Sequence, residues 1–301
     1  MSLAATSRLL GEVFPGARIG APAYLSWLYV ESPFGAVVEA NLDDDQGRAG
    51  HYAIVPCDVL VDRVPRAGAL SLNTAVHERA RGGGVFVSLA EACYAAARER
   101  GIGCVIGVAN ANSTPGFLKR LGFHRLASLP ARVIVPGGRA RGVTSRAVDS
   151  ALLADPAFRA GLSGRLPAPA RGVTRSWTPD QLAWRLASPN GAYALHDDGE
   201  AALITAVDRV RGVPVTVVLK LLSAGPVTAR TARRLVTAAA LHHRSPAVLH
   251  AGVDERWPLR GVPLPERLRP SPLNFIFRDL ENPGAPAPAL GACEFLDFDA
   301  Y

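Results

Sequence analysis

The sequence predicts an α+β chain, with central mixed sheets flanked by helices, in two tandem domains of like element order. Three observations predict it. Apolar runs of strand length alternate with amphipathic helical stretches. One strand-like run, residues 70–77, passes through Arg79-Ala80-Arg81-Gly82-Gly83-Gly84 straight into a helical pattern over 85–100. The 301 residues also exceed the usual length of one domain, and the second half repeats landmarks of the first.

Composition narrows the class. With 49% hydrophobic and 20% charged residues the chain is ordinary globular material. No apolar run approaches the roughly 20 residues a membrane span requires, so no membrane partner is expected. Arg8, Glu12 and Arg18, with Gly and Pro between them, interrupt the first 30 residues as no signal peptide would. A cytoplasmic protein is expected. Cys57, Cys93, Cys104 and Cys293 stand singly, which predicts neither disulfides nor a metal site. The net charge of +7 comes from arginines spread along the chain, with Lys119 and Lys220 the two lysines. Without a basic stripe interleaved with aromatics, no nucleic-acid partner is expected, and the excess charge suits an anionic cofactor or substrate.

In order along the chain, residues 35–42 alternate as a strand, Asp43-Asp44-Asp45-Gln46-Gly47 turns, and 50–60 returns as a second strand broken at Pro56. After the 70–77 strand and its glycine loop, Val85, Phe86, Leu89, Cys93 and Ala96 recur at helical spacing until Gly101. Residues 103–109 are continuously apolar, as a buried central strand requires. A short helix over 115–121 has Thr114 as cap, Pro115 in its first turn and Gly122 at its end. A strand over 129–135 follows, and the pattern lapses at Pro136-Gly137-Gly138. The domains are therefore expected at 1–145 and 146–301, with one short helix over 150–162.

The second half then reprises the first. Tyr24-Leu25-Ser26-Trp27-Leu28-Tyr29, followed by Ser32-Pro33-Phe34-Gly35, returns as Gln181-Leu182-Ala183-Trp184-Arg185-Leu186, followed by Ser188-Pro189-Asn190-Gly191. Strands over 201–207 and 213–222, a helix over 229–244 and strands over 247–253 and 273–277 keep the same order. The loop at the corresponding place reads Ser223-Ala224-Gly225-Pro226-Val227, with one glycine and a proline that lacks an amide donor. This half is not expected to hold a pyrophosphate.

The loop at Gly82-Gly83-Gly84 can. Without Cβ atoms its backbone can take positive φ and approach a ligand closely, and the first amides of the following helix point outward at the positive end of its dipole. It has neither the Gly-x-Gly-x-x-Gly spacing of dinucleotide folds nor the Lys-Ser/Thr of nucleotide triphosphatases. The remaining spacing, Arg-x-x-Gly-x-Gly, resembles the acetyl-CoA loop of the GNAT N-acetyltransferases. Ala109-Asn110-Ala111-Asn112-Ser113 after the apolar strand and Lys119-Arg120-Leu121-Gly122-Phe123 closing the short helix match the same pattern. The Trp27 block, Gly50-His51-Tyr52 and Asn112-Ser113 further resemble a bacterial subgroup with two GNAT-like halves, which includes acetyltransferases of nucleotide-linked amino sugars. The resemblance covers residues 24–135 best.

The resemblance implies that acetyl-CoA is the co-substrate, without a metal. It implies that the backbone of Ala75 and Val76 lines the pantetheine arm and that Arg81, Gly82, Gly83, Gly84 and Val85 hold the pyrophosphate. Asn110, Asn112 and Ser113 would face the cofactor across the gap, with Phe117 packed on the arm; read without the resemblance, the two asparagines are turn residues. An amide near Ala75 or Val76 would bond the thioester oxygen as it becomes negative. The acceptor would be a small-molecule primary amine, with an amino sugar on a nucleotide carrier favoured by the resemblance. Longer acyl chains, amino-acid or peptide amines and a non-catalytic acyl-CoA sensor are the alternatives, and a homodimer is left open. Two positions depart from the family. Leu118 stands where many members carry the tyrosine that protonates the thiolate, leaving Tyr52 or Ser113 as substitutes. Asn73 stands where a carboxylate could meet the acceptor; it can orient a water or the substrate, and His51, Glu39 and then His77 are the candidate bases.

Overall fold

Local chemistry sets most of the elements in the computed structural model, which describes residues 2–166, 171–265, 268–269 and 271–298. Helix α1 (Leu3–Val13) starts on Ser2, whose hydroxyl accepts the Ala5 amide, and α2 (Pro22–Tyr29) opens on proline. Strands β1 (Val38–Asp44) and β2 (Gly47–Val61) form a hairpin in which the Asp44 carboxylate accepts the Gln46 amide. Pro56 lies inside β2, opposite Ala69, and does not break it. A second hairpin leads to β3 (Val64–Val76) through Asp62 and Arg63 at φ +51° and +68°. Such two-residue turns ordinarily announce themselves with Asn-Gly or Asp-Gly, so the start of β3 is hidden in the sequence.

The chain continues through α3 (Val85–Glu99), β4 (Cys104–Ala109), α4 (Thr114–Arg120), β5 (His124–Ser128) and β6 (Ala131–Ile134). Next come β7 (Thr144–Ala147), α5 (Ser150–Ala154) and α6 (Pro156–Ser163); the single helix expected over 150–162 is divided because Asp155 caps a new helix at Pro156. Then follow β8 (Val173–Arg175), α7 (Pro179–Leu186), β9 (Ala194–Asp197), β10 (Ala201–Val210) and β11 (Val213–Ser223). The last elements are α8 (Ala229–His242), β12 (Val248–Val253), β13 (Val262–Pro263), β14 (Asn274–Asp279) and β15 (Leu290–Glu294).

Two units result. The first runs to Ser128 and adds Ser188–Asn190 and Leu273–Ala289. Its sheet has the order β1-β2-β3-β4-β14-β5, with β3 and β4 parallel and every other pair antiparallel. The second unit holds Leu129–Ala187, Gly191–Pro272 and the residues from Leu290. There β7, β9, β10, β11 and β12 lie side by side, β6 pairs with β12, and β13 pairs with β6. The division therefore does not fall at 145/146, and the strand near 273–277 completes the first sheet instead of the second. An apolar strand carries no label saying which sheet it joins, so its pattern could not reveal this exchange.

In the first unit α3 buries Leu89, Ala90, Cys93, Tyr94 and Ala97 against the sheet. Beneath α3 and α4 five rings meet: Tyr52, Phe86, Tyr94, Phe117 and Phe123, with centroids 5.0–6.0 Å apart. Gly116 allows this closeness, since a Cβ there would lie 3.0 Å from the Phe86 ring. In the second unit α8 buries Leu235, Val236 and Ala240 with Leu203, Val218 and Leu221. The four cysteines are buried, and none is in a disulfide. Among the described residues no helix is long and apolar enough to cross a membrane.

Candidate functional site

The first unit's sheet opens between its two parallel strands. β3 and β4 pair from Gly68/Cys104 to Ser71/Gly107, yet β3 runs on to Val76 and β4 to Ala109, leaving the strand ends unpaired with each other. A bulge accompanies the divergence: Ala53 faces Leu72 and His51 faces Ala75, so Tyr52 is opposed by both Asn73 and Thr74. Asn73 sits there at φ +51°, a conformation asparagine tolerates better than most residues. The result is a cleft of about 200 Å³, floored by Ser71–Thr74 and Gly107–Ala109 and closed by Phe117 and by Ile276 of β14.

Amide direction along β3 follows from one bond. The His77 amide donates to the Ala49 carbonyl at 2.8 Å, so by antiparallel alternation Ala75 turns its amide toward β2 and Val76 turns away from it. The Val76 carbonyl accordingly accepts Arg81 Nε at 3.3 Å, on the side away from β2. Of the two backbone positions named from the sequence, Val76 faces the opening and Ala75 does not.

The glycine loop lies at the end of β3. Gly82, Gly83 and Gly84 all have positive φ, at +95°, +57° and +82°, which explains why three glycines stand together. No side chain caps α3. Val85 N–H donates to Gly82 and Ser88 N–H to Gly84, while among the described residues no acceptor takes the amides of Gly83, Gly84, Phe86 or Val87. These unpaired donors stand at the positive end of a 15-residue helix, an arrangement that suits an anion. Arg79 fixes the loop instead of facing a ligand: its guanidinium pairs with Asp44 at 2.9 Å and donates to the Arg48 carbonyl. Arg81 is exposed beside the loop. His77 accepts the Arg79 amide through Nδ1, a turn-capping role.

Across the opening, Asn110 is occupied by its own turn. Its Oδ1 accepts the amides of Asn112 and Ser113 and the Ser113 hydroxyl, and its carbonyl accepts from Thr114. Asn110 and Ser113 line the cleft but with these atoms engaged; Asn112 is exposed outside its lining. Phe117 is both core ring and cleft wall.

Two polar chains run from the cleft into the core. In one, Asn73 Nδ2 donates to Tyr29 Oη at 3.2 Å, Tyr29 reaches His51 Nε2 at 3.0 Å, and His51 Nδ1 meets Asn41 Oδ1 at 2.7 Å. This order makes Nδ1 the protonated nitrogen and Nε2 an acceptor from Tyr29. Burial, helped by the nearby Arg48 charge, pushes His51 down to about 3, so the ring is neutral; it has no exposed surface and both nitrogens are engaged. Glu39 lies beside it, with Oε2 3.7 Å from Nδ1. Neither lines the cleft: His51 is tied to Tyr29 and, through it, to Asn73, while Glu39 Oε2 is buried without a hydrogen-bond partner. In the other chain, Ser71 Oγ lies 2.8 Å from Tyr52 Oη, which lies 2.5 Å from Tyr94 Oη. Burial raises both tyrosines, so both stay protonated. When Tyr94 donates to Tyr52 and Tyr52 to Ser71, the Ser71 hydrogen is free for the cleft. Tyr52 thus reaches the site through Ser71, a residue that sequence reasoning missed because a strand serine carries no signal of its own.

The second unit has the same opening and closes it. β11 and β12 pair only from Thr216/Val248 to Val218/His250, and Leu219 is extra in the ladder with β10. Here Glu294 of β15 pairs with Gly252 of β12 while its carboxylate accepts the Leu221 amide of β11 at 3.1 Å. Lys220 binds Asp297 at 2.8 Å and Glu294 at 3.4 Å in the buried interior.

No family model matches the sequence, and no curated protein matches it. Solved structures do resemble the fold. A GCN5-related N-acetyltransferase from Anabaena variabilis ATCC 29413 aligns with a TM-score of 0.64 at 14% identity, over 91% of this chain and 69% of that one. One from Kribbella flavida aligns at 0.61 and 13%, over 91% and 68%. Saccharomyces cerevisiae N-myristoyltransferase with bound myristoyl-CoA aligns at 0.59 and 8%, over 91% and 78%. The chain has the fold of GCN5-related N-acetyltransferases.

Proposed function

We propose that the protein transfers the acetyl group of acetyl-CoA to a small primary amine, with the first unit as the catalytic domain and the second as a degenerate copy. The supporting observation is the union of the uncapped triple-glycine turn with an open strand junction. The turn offers backbone donors to a diphosphate, and the junction offers a cleft of about 200 Å³ between the diverging strands to the arm that would follow it. A volume of about 200 Å³ favours a short acyl group, being below the roughly 300 Å³ at which drug-sized sites begin.

In this reading Arg81 and the free amides of Gly83, Gly84, Phe86 and Val87 hold the diphosphate, the Val85 amide being taken by Gly82, and the Val76 amide, facing the opening, stabilises the thioester oxygen. The amine nitrogen attacks the thioester carbon and the C–S bond breaks. No ionisable side chain lines the cleft among the described residues. The proton lost by the amine therefore leaves through water and is the one the thiolate finally takes. The Ser71 hydroxyl, oriented by Tyr52, donates to the departing sulfur, and Asn73, held by Tyr29, orients the acceptor. Amines of low pKa suit such a site best, and an amino sugar on a nucleotide carrier is favoured by the family resemblance. The same lack of an ionisable group favours a second reading, a non-catalytic acyl-CoA sensor. A thiol-release assay with acetyl-CoA and a panel of amines separates the two. Acetyl transfer expects release with at least one amine; saturable acetyl-CoA binding without release from any would establish the sensor.

A further inference from the structure

The second unit concentrates positive charge that its own fold does not neutralise. Arg230, Arg233 and Arg234 stand three and four residues apart near the start of α8 and so share one face of it. The loop after β6 adds Arg139 and Arg141, and with the Gly137-Gly138 backbone these side chains line a cleft of about 480 Å³. That loop is fixed in place. The Thr237 hydroxyl donates to the Gly137 carbonyl at 2.9 Å and accepts its amide at 3.3 Å. Arg234 Nε donates to the Arg141 carbonyl at 2.9 Å, and Gly142, at φ +73°, lies where any Cβ would come within 2.8 Å of Arg234 Nη2. Arg234, which also faces Asp198 at 3.4 Å, is thereby a structural group. Arg139, Arg141, Arg230 and Arg233 are exposed and, among the described residues, have no carboxylate partner. Like charges at this spacing repel, and the rigid loop prevents them from dispersing.

Beside this cleft lies a second of about 260 Å³, lined by Val133, Ile134, Val236, Leu259 and Val262, and Arg233 borders both. We infer that the pair binds a small organic phosphate with a diphosphate head, gripped by Arg139, Arg141, Arg230 and Arg233, and with its apolar part in the adjoining pocket. Planar guanidinium forks suit phosphate oxygens geometrically as well as by charge. A nucleic-acid strand is the poorer fit, because no aromatic ring lines either cleft to stack a base.

Calorimetric titration of the full chain with inorganic pyrophosphate, uridine diphosphate and a short single-stranded RNA tests this. Each titration is repeated on Gly83→Phe, so that the first unit's glycine loop is not mistaken for the site. Saturable binding of both phosphates is expected in both proteins, with uridine diphosphate the tighter because its ring adds apolar contact. Affinity should fall about tenfold or more when Arg230→Gln/Arg233→Gln is added to Gly83→Phe, and likewise with Arg139→Gln/Arg141→Gln on the opposite wall, with circular dichroism unchanged. Equal affinities for the two phosphates would overturn the apolar half. Absent binding, affinity retained in both double variants, affinity lost in Gly83→Phe, or tighter binding of the RNA would overturn the whole.

Discussion

Replacing Gly83 by alanine perturbs the loop proposed to hold the diphosphate by one methyl group, and the structure sets the size of the effect. Gly83 has φ +57°, and nothing lies within 4 Å of an added Cβ, so no clash contributes. What remains is the cost of holding an L-residue left-handed, about 1–2 kcal/mol. A loop displaced from its binding geometry by that amount lowers apparent affinity by its lost population, roughly 5- to 30-fold. Asparagine, more tolerant of this conformation, should cost less, and phenylalanine, which also fills the space left for the ligand, should cost more. The assay is calorimetric affinity for acetyl-CoA beside KM for S-acetylpantetheine, which lacks the diphosphate. Acetyl-CoA binding should weaken in the order Asn, Ala, Phe while S-acetylpantetheine is unaffected. Equal losses for both thioesters, or acetyl-CoA affinity within about twofold of normal in Gly83→Phe, would refute the assignment.

Ser71→Ala should lower kcat about tenfold to a hundredfold with acetyl-CoA KM nearly unchanged, since it removes a hydrogen bond to a charged sulfur, and Tyr52→Phe should lower it less; unchanged kcat in both would place thiolate stabilisation elsewhere. Asn73→Gly keeps the left-handed backbone but removes the amide, so acceptor KM should rise while acetyl-CoA affinity holds, whereas Asn73→Val should also lower Tm because a β-branched residue is strained there. Burial pushes His51, His196 and His250 down to about 3, 3 and 4, so the unfolded chain takes up protons first as pH falls. The stability gained from their neutral burial is complete above about pH 6.5 and is lost below it, by about 1.4 kcal/mol per ring at pH 5.5, or about 4 kcal/mol for the three. Burial pushes Glu294 up to about 8 and so works the other way over the same range; the difference in urea midpoint between pH 7.5 and 5.5 should therefore move toward stabilisation at low pH in His196→Phe, and an unchanged difference would contradict the histidine contribution. Lys220→Met should destabilise by about 3–5 kcal/mol, because Glu294 and Asp297 would keep their burial without their cation; a change under about 1 kcal/mol in the same denaturation assay would show that the pair tolerates its loss.

The parts of the site legible in the sequence are those whose chemistry is local. Three adjacent glycines before an amphipathic helix mark a left-handed turn whatever lies elsewhere in the chain, and the expected helix over 85–100 is α3, Val85–Glu99. The continuously apolar run expected over 103–109 is β4, Cys104–Ala109, for a reason equally local: a strand covered on both faces has no polar side. What stayed hidden depends on partners distant in sequence. His51 looks like a base until Tyr29 and Asn41 are seen to occupy its nitrogens, and Ser71 looks inert until Tyr52 and Tyr94 stand behind it. The wall formed by Ile276 belongs to a strand that sequence order assigns to the other half.

The two units show how little separates an open junction from a filled one. Both have a parallel pair that diverges after a few rungs, and both have a bulge on the strand that precedes the helix. In the first, the strand ends into three left-handed glycines and an uncapped helix, so donors face outward. In the second, Thr228 caps α8 by accepting the Thr231 amide, and Glu294 accepts the Leu221 amide inside the gap. Donors of the kind that the first unit leaves unpaired thus meet protein acceptors at the corresponding places in the second. A buried amide must have a partner, so the gap can be open only where a ligand or water supplies one. On the proposed reading, the division of labour between the halves comes down to which of them satisfies its own backbone.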